Sequence, residues 1–273
     1  MEITNVTVEE QEVLVPKKKH ISFSELYVWN KCPFLHKKQY IEKVVPSDKS
    51  HYLSFGTSLH HICEHHIYEE LDKQNEIFRK HLSDNINEQQ IPITDKELDE
   101  YCSQASKIFL NIMPVLLKTF GEGFKIIHAE LPLYERIDFF DGEEYYFKGY
   151  IDLVIEDAKG KVHLIDWKTT SWGWDLRKRT DKMTTYQLTL YKIFYAKKFN
   201  INPKDISLHF ILLKRTAKPD NNVEVFTVPC GEIKMKNCKD FLNKALYNIT
   251  KGVYIKNRNS CGFCSIYKTD LCP

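Results

Sequence analysis

The stretch Gly149-Tyr150-Ile151-Asp152-Leu153-Val154-Ile155-Glu156-Asp157-Ala158-Lys159-Gly160-Lys161-Val162-His163-Leu164-Ile165-Asp166-Trp167-Lys168-Thr169-Thr170 decides how this chain folds. Two apolar runs flank a turn-rich insert, Asp157-Ala158-Lys159-Gly160, which is the pattern of a β-hairpin. A hairpin centred near Lys159 sets Asp152 directly opposite Asp166. Opposed side chains share a face with Cβ atoms about 4.5–5.5 Å apart, so the two carboxylates repel unless a cation lies between them. Lys168 stands two residues beyond Asp166 and points to the same face, roughly 7 Å along the strand. The candidate site is therefore two acids able to share a divalent ion, with one amine beside them. Hard oxygen ligands favour Mg²⁺ or Mn²⁺ over Zn²⁺. Such an ion can activate water and neutralise charge on a phosphate. The lysine can orient or deprotonate that water, or stabilise the transition state. A surface Asp–Lys pair is commonplace, but two acids within apolar strands are not, because unpaired buried charge is costly.

Working outward, strands are expected at Ile126–Leu133, Tyr145–Glu156, Val162–Thr169 and Ile206–Leu213. Helices are expected from Ser22 or Ser24 to Cys32, where Pro33 interrupts, from Thr57 to about Leu71, and over residues 183–199 and 233–251. Residues 72–120 have a charged helical texture with turn signals near Asp84 and Pro92. Helices, strands, a helix and a further strand predict an α/β (α+β) fold, a mixed central β-sheet flanked by helices. Residues 1–20 read as a polar lead-in ending in Lys17-Lys18-Lys19. Residues 21–273 read as one domain with a helical insertion over about 72–120 and a cysteine cluster over 261–272.

Composition bounds the function. The 273 residues are 42% hydrophobic, 13% aromatic and 28% charged, which is globular rather than disordered. A net charge of +2 excludes a polycation. No run approaches the roughly 18 apolar residues of a membrane helix. The acidic opening MEITNVTVEEQEV has no apolar signal core, which predicts a cytoplasmic protein, and the Lys/Asn/Ile-rich usage suits a phage- or bacteria-encoded one. Eight cysteines in such a chain point to metal rather than disulfides.

Two helices carry polar groups that could complete the hairpin site. In Gly56-Thr57-Ser58-Leu59-His60-His61-Ile62-Cys63-Glu64-His65-His66-Ile67, the residues Leu59, Ile62, Cys63, Ile67 and Leu71 define an apolar side. His60 falls within it and His66 at its edge, while His61 and His65 point away. His60 is the candidate inward ligand, although a satisfied core histidine is the commoner case. His61 and His65, spaced i, i+4, could instead bind zinc. Gln187 and Tyr191 share one face of the 183–199 helix and could bond a phosphate or hold the lysine.

In this order these segments resemble the RecB-like branch of the PD-(D/E)XK nuclease superfamily. Ser22-Phe23-Ser24-Glu25-Leu26-Tyr27-Val28-Trp29-Asn30-Lys31-Cys32-Pro33-Phe34 is similar to that family's first helix and Cys-Pro signature. Gly56–His60 is similar to its histidine motif. Gly149–Asp152 and Asp166–Thr169 are similar to its two acidic motifs, and Gln187-x-x-x-Tyr191 to its last. The resemblance implies a restriction-endonuclease-like core in which His60, Asp152, Asp166 and the backbone carbonyl of Trp167 bind Mg²⁺ or Mn²⁺. It implies that Lys168 is catalytic and that Gln187 and Tyr191 assist. Glu130 matches a recurrent acidic position. The activity implied is hydrolysis of DNA phosphodiesters, commonly as an exonuclease at ends or on single strands.

Cys261-x2-Cys264 with Cys272 supplies three thiols at a metal-ligand spacing, and Cys32 is the candidate fourth. AddB-type and CRISPR-associated RecB-like exonucleases carry one early and three late cysteines around a [4Fe–4S] cluster, and the resemblance implies the same here. Zn²⁺ fits the spacing equally, although the last gap of seven residues is longer than those families show. Cys63, Cys102, Cys230 and Cys238 read as core cysteines. Arg177, Lys178 and Arg179, with Trp172 and Trp174 nearby, are candidates for DNA contact and base stacking. A second basic tract runs through 234–258. Two other readings compete with the nuclease: a non-catalytic DNA-binding subunit of a helicase–nuclease or recombination complex, and a zinc-binding interaction protein. No Gly-x4-Gly-Lys-Ser/Thr loop is present, so a helicase or other replication or recombination partner would be a separate chain.

Overall fold

The computed structural model describes residues 19–46 and 49–273. The expected lead-in lies outside the described residues as far as Lys18. Its last residue does not, because His20 opens a short strand, β1 (His20–Ser22). Ser22 then caps α1 (Phe23–Lys31) by accepting the Glu25 N–H at 3.1 Å. Cys32 is extended, and Pro33 starts α2 (Pro33–His36), where a missing N–H costs nothing. A π-helical turn (Lys37–Ile41) follows.

The next helix departs from the sequence expectation at both ends. α3 spans His51–His65 rather than Thr57–Leu71. The Ser50 hydroxyl accepts the Leu53 N–H and starts the helix early, and the chain turns out of it at His66 before reaching Ile67. α4 (Leu71–Gln89) runs straight through Asp84, where a turn is expected from sequence. Asp84 faces solvent, and Phe78, Leu82 and Ile86, spaced four apart, bury one stripe that holds the helix together. The turn at Pro92 is present. It leads to α5 (Asp95–Phe120), whose start is fixed by a reciprocal Thr94–Glu97 capping box.

The strands follow as β2 (Lys125–Arg136), β3 (Tyr146–Glu156) and β4 (Val162–Thr170). Then come α6 (Leu176–Thr180), α7 (Lys182–Phe199), β5 (Ile206–Lys214), β6 (Val223–Thr227) and α8 (Glu232–Thr250). The β3–β4 hairpin pairs Leu153 with Ile165 and Glu156 with Val162, the register centred on residue 159. Its turn is held by Asp157, whose Oδ1 accepts the N–H groups of Lys159 and Lys161 at 2.9 Å each. Gly160 supplies the left-handed position, at φ +78°.

The six strands form one mixed sheet. β3 is antiparallel to β2 along its whole length on one edge. Its other edge is shared. β1 pairs in parallel with residues 146–148, and β4 pairs with residues 153–156. Between them, Gly149–Asp152 has no strand partner on that edge. Beyond Ile165, β4 leaves β3 and continues beside β5 alone, through Thr170.

Each face of the sheet is covered. α1, α7 and α8 pack on one side, with Leu26, Phe194, Leu242 and Leu246 in the core and Phe147 stacked on Phe194 at 4.5 Å. α3, α4 and α5 pack on the other, with Phe55, Leu59, Phe78 and Phe109 against Ile165, Trp167 and Ile211. The helical segment read from sequence as an insertion is thus the cover of a second core. Trp167 is wholly buried in it, and truncating a residue so placed costs about 3–5 kcal/mol.

Candidate active site

The unpaired notch at Gly149–Asp152 lets helices from opposite faces of the sheet reach one point. Asp152 sits at its lip. One residue past the last β3–β4 pair, its Oδ2 accepts the main-chain N–H of Trp167 at 2.8 Å. That bond sets the main chain of Trp167, whose carbonyl the sequence nominates as a ligand, beside the carboxylate.

Asp166 lies next along β4 and is buried. Lys168 Nζ stands 2.5 Å from its Oδ2, and the Gln187 amide donates to its Oδ1 at 2.6 Å. Gln187 also donates to the Tyr191 hydroxyl at 3.3 Å. The i, i+4 spacing on α7 brings both side chains to the notch, where Gln187 holds the acid, not the lysine or phosphate that the sequence reading offered, and Tyr191 holds Gln187. Tyr191 fits because position 149 is glycine. A Cβ there would meet the Tyr191 ring at 2.9 Å. The Lys168 ammonium lies over the Phe210 ring at 5.6 Å, which fixes the end of its flexible stem.

From the other face, α3 delivers His60, with Nδ1 3.9 Å from Asp152 Oδ2. One turn later Glu64 follows, its Oε1 4.0 Å from the same imidazole nitrogen. Sequence reasoning missed Glu64, although its i, i+4 spacing from His60 was legible. Ligand atoms of His60, Glu64 and Asp152 all lie within 4.8 Å of one another. Glu130 on β2 comes to the same region, and His65 Nε2 is 3.4 Å from its Oε2. Glu130 holds φ at +49°, a left-handed conformation that strains a residue with a side chain.

The remaining histidines go elsewhere. His61 stacks on His81 of α4 at 4.3 Å, nearly parallel, and lies 5.0 Å from the His65 ring. His81 is bonded to Ser58 and Asn85. His61 and His65 do not join a metal-sized group together among the described residues.

Crowding sets the electrostatics. Burial pushes Asp166 up to about 6 despite Lys168 beside it. Asp152 is raised too, by burial first, with Lys168 and the Trp167 N–H opposing. Burial also raises Glu64 strongly, and its neighbours Asp152, Glu130 and Asp166 add to the rise. Burial drops His60 to about 4, so it is a neutral imidazole. Tyr191 is raised, chiefly by burial, and keeps its proton. Several carboxylates and one neutral imidazole around a common point form an oxygen-rich donor set with a nitrogen, the chemistry of Mg²⁺ or Mn²⁺.

The four cysteines nominated by sequence line one cavity of about 230 Å³. Cys32 and the 255–264 segment are stitched together: the Asn257 N–H points at Cys32 Sγ at 3.4 Å, and the Asn257 amide donates to Lys31 O at 2.7 Å. Cys272 is buried, Cys32, Cys261 and Cys264 are half-buried, and none is in a disulfide. Cys63 and Cys238 lie in the two cores, as expected.

The basic candidates divide. Arg177 and Lys178 are exposed on α6, and Trp172 is 70% exposed. Arg179 is engaged within the fold. It pairs with Glu224 at 2.5 Å and donates to Trp174 O at 2.8 Å. Trp174 packs edge-on against Phe210. No helix among the described residues is long and apolar enough to cross a membrane.

The sequence profile of the PD-(D/E)XK nuclease superfamily matches residues 20–272. No curated protein matches. Similar solved structures include the following two. One, described as "Putative exonuclease" from Eubacterium rectale, is 14% identical, with 97% of this chain and 92% of that one aligned at a TM-score of 0.58. The other, SSO0001, is 15% identical over 93% of this chain and 86% of that one, at a TM-score of 0.41. With the profile matched from β1 to the last cysteine, the chain belongs to the PD-(D/E)XK nuclease superfamily.

Proposed function

We propose that this protein is a metal-dependent deoxyribonuclease, an exonuclease acting at DNA ends or on single strands. The observation that carries this is the meeting of His60, Asp152, Asp166, Lys168, Gln187 and Tyr191 at the notch in the sheet. His60, Asp152, Asp166 and the Trp167 carbonyl are the proposed ligands of Mg²⁺ or Mn²⁺. A divalent ion held there supplies charge neutralisation at the phosphate and a more acidic water.

The rest is done by the chain. Gln187 and Lys168 hold the two oxygens of Asp166, so the carboxylate enters the reaction already oriented. Lys168 is the proton-handling or charge-stabilising group for the attacking water. Tyr191, which keeps its proton, fixes Gln187. Exposed Trp172, Arg177 and Lys178 follow the catalytic strand and offer a stacking surface and phosphate contacts to an unpaired strand.

The cysteine cavity is proposed to hold a structural [4Fe–4S] cluster. The four thiols line one cavity, and the preference for a cluster over zinc is supported by the one-early, three-late cysteine arrangement that the chain shares with the iron–sulfur nucleases it resembles. Such a cluster ties α1 to the C-terminal segment.

End-labelled single- and double-stranded DNA, incubated with Mg²⁺ or Mn²⁺, tests the assignment. Stepwise loss from an end, absent in Asp166→Ala, is expected. Intact DNA with either ion overturns it.

A further inference from the structure

A cavity of about 330 Å³ opens beside the end of the catalytic strand, with Tyr52, Tyr101, Trp172, Arg215, Glu100 and Gln104 in its walls. That is the lower end of the range for pockets that take a small ligand. We propose that it binds one unpaired base of the DNA strand, stacked on Tyr52 and Trp172, and favours a base that carries an exocyclic amine. This rests on the reading that the chain acts on single-stranded DNA.

The pocket is tied to the notch through the fold. Trp172 follows directly on β4, the strand that carries Asp166 and Lys168. The end of that strand is fastened on two sides: Thr170 Oγ1 donates to Trp172 O at 2.6 Å, and the Arg215 N–H donates to Thr170 O at 2.9 Å. Tyr52 stands on α3, the helix that also carries His60, and lies about 12 Å before it along the helix axis. A stacked strand advances about 3.4 Å per nucleotide, so the pocket meets a base a few nucleotides from the bond to be cut.

Its rings are in place before any ligand arrives. The Arg215 guanidinium lies 4.6 Å from the centre of the Tyr52 ring and 5.5 Å from that of Phe55, and it donates to Ser171 Oγ at 2.8 Å. Tyr101 meets Tyr52 edge-on at 6.5 Å. Tyr52 is nevertheless 61% exposed and Trp172 70%. Rings held by their neighbours yet open to water suit the stacking of a flat partner, and every base offers such a face.

The charged wall decides which part of a nucleotide enters. Two carboxylates, Glu97 and Glu100, line the cavity against one guanidinium that is already engaged with Ser171. Such a wall repels the phosphate and turns the base inwards. It also discriminates between bases. Glu100 is exposed, and Gln104, which donates to it at 3.4 Å, has an Oε1 with no hydrogen-bond partner among the described residues. Acceptors match the amino group of cytosine or adenine rather than the O4 of thymine.

Fluorescence anisotropy of labelled single-stranded oligonucleotides, with the protein kept in EDTA, reads binding without cleavage. Tyr52→Ala and Trp172→Ala should each weaken binding of a deoxycytidine oligomer about five- to hundredfold, the range for one lost stacking partner. The salt slope should not change, because no phosphate contact is lost. Tyr52→Phe keeps the ring and should bind as wild type does. An oligomer of the same length without bases should bind wild type and Tyr52→Ala alike. A thymidine oligomer should bind about two- to tenfold more weakly than the deoxycytidine one, the range for one hydrogen bond, and Glu100→Ala should remove that difference. Wild-type affinity in the Tyr52→Ala/Trp172→Ala double variant, an equal loss with the baseless oligomer, or equal affinity for the two base types in wild type overturns the proposal. Cleavage with Mg²⁺ is measured separately. The expected base response in a protein that cuts no DNA refutes the nuclease reading and leaves the pocket standing; cleavage without a base response refutes the pocket alone.

Discussion

Asp152 accepts the Trp167 N–H at 2.8 Å in the place where a backbone carbonyl of β3 would otherwise pair with β4. One carboxylate thus both faces His60 and closes the end of the hairpin. Its two roles separate by substitution. Asp152→Asn keeps an acceptor for the N–H and should remain as stable as wild type while losing metal-dependent cleavage. Asp152→Ala should lose cleavage and also about 1–3 kcal/mol of stability, the cost of a buried donor left without a partner. Urea denaturation of the two variants decides; equal stability would separate Asp152 from the hairpin closure.

Asp166→Ala and Lys168→Ala should each lower cleavage by about a thousandfold or more, as expected for groups acting in the transition state, with folding intact by circular dichroism. Gln187→Ala should have a smaller effect, because Lys168 still holds one oxygen of Asp166. Cleavage near the wild-type rate in Asp166→Ala would remove the notch as the active site.

Gly149→Ala should impair cleavage through Tyr191, since the added Cβ and the Tyr191 ring cannot both keep their places. Tyr191→Leu in the same chain should relieve the clash. A double-mutant cycle in melting temperature should show the two changes to be non-additive; simple additivity would mean that the ring does not press on residue 149.

Replacing Arg177 and Lys178 with Ala should weaken DNA binding and shallow its salt dependence, because each lost phosphate contact removes counterion release. Arg179→Ala should act on stability instead, through the lost pair with Glu224. Binding titrations at several salt concentrations, set beside thermal unfolding, distinguish the two kinds of basic residue. An unchanged salt slope in the double variant would move the DNA path elsewhere.

At the far end of the hairpin, His163 bonds His209 at 3.0 Å, and both are buried. Burial holds His209 down at about 3 and lowers His163, while the unfolded chain lets both titrate near 6.5. The unfolded state therefore binds more protons between those values. Their contribution to stability is complete above pH 6.5 and declines as pH falls towards 3. His209→Gln should flatten that decline in denaturation series from pH 7.5 to 4; an identical slope would remove the pair as its cause.

The hairpin was legible because three signals agreed within 22 residues: two apolar runs, an Asp–Gly turn and acids equidistant from Lys159. The α7 pair was legible from spacing alone. Glu64 was missed because four histidines crowd the same helix, and only the register of β3 shows which of them faces an acid. β1 and β6 were missed for a different reason. They are edge strands of three and five residues, too short to show a period, and their pairing is decided by distant partners. Arg179 was read with its basic neighbours, but the Glu224 that claims it lies 45 residues away on β6. The start of α3 was missed because Ser50 is one polar residue among several, and only its bond to Leu53 marks it as the cap.

The proposed cluster has a consequence for synthesis. Cys32 precedes Cys272 by 240 residues. At about 5–20 residues per second, a cluster drawn from both would leave the Cys32 thiol waiting on the order of 10–50 seconds for the last of its proposed partners. Throughout that interval the thiol after α1 would stay unclaimed and open to oxidation, so the earliest described turn of the chain would be closed only by residues made 240 positions later.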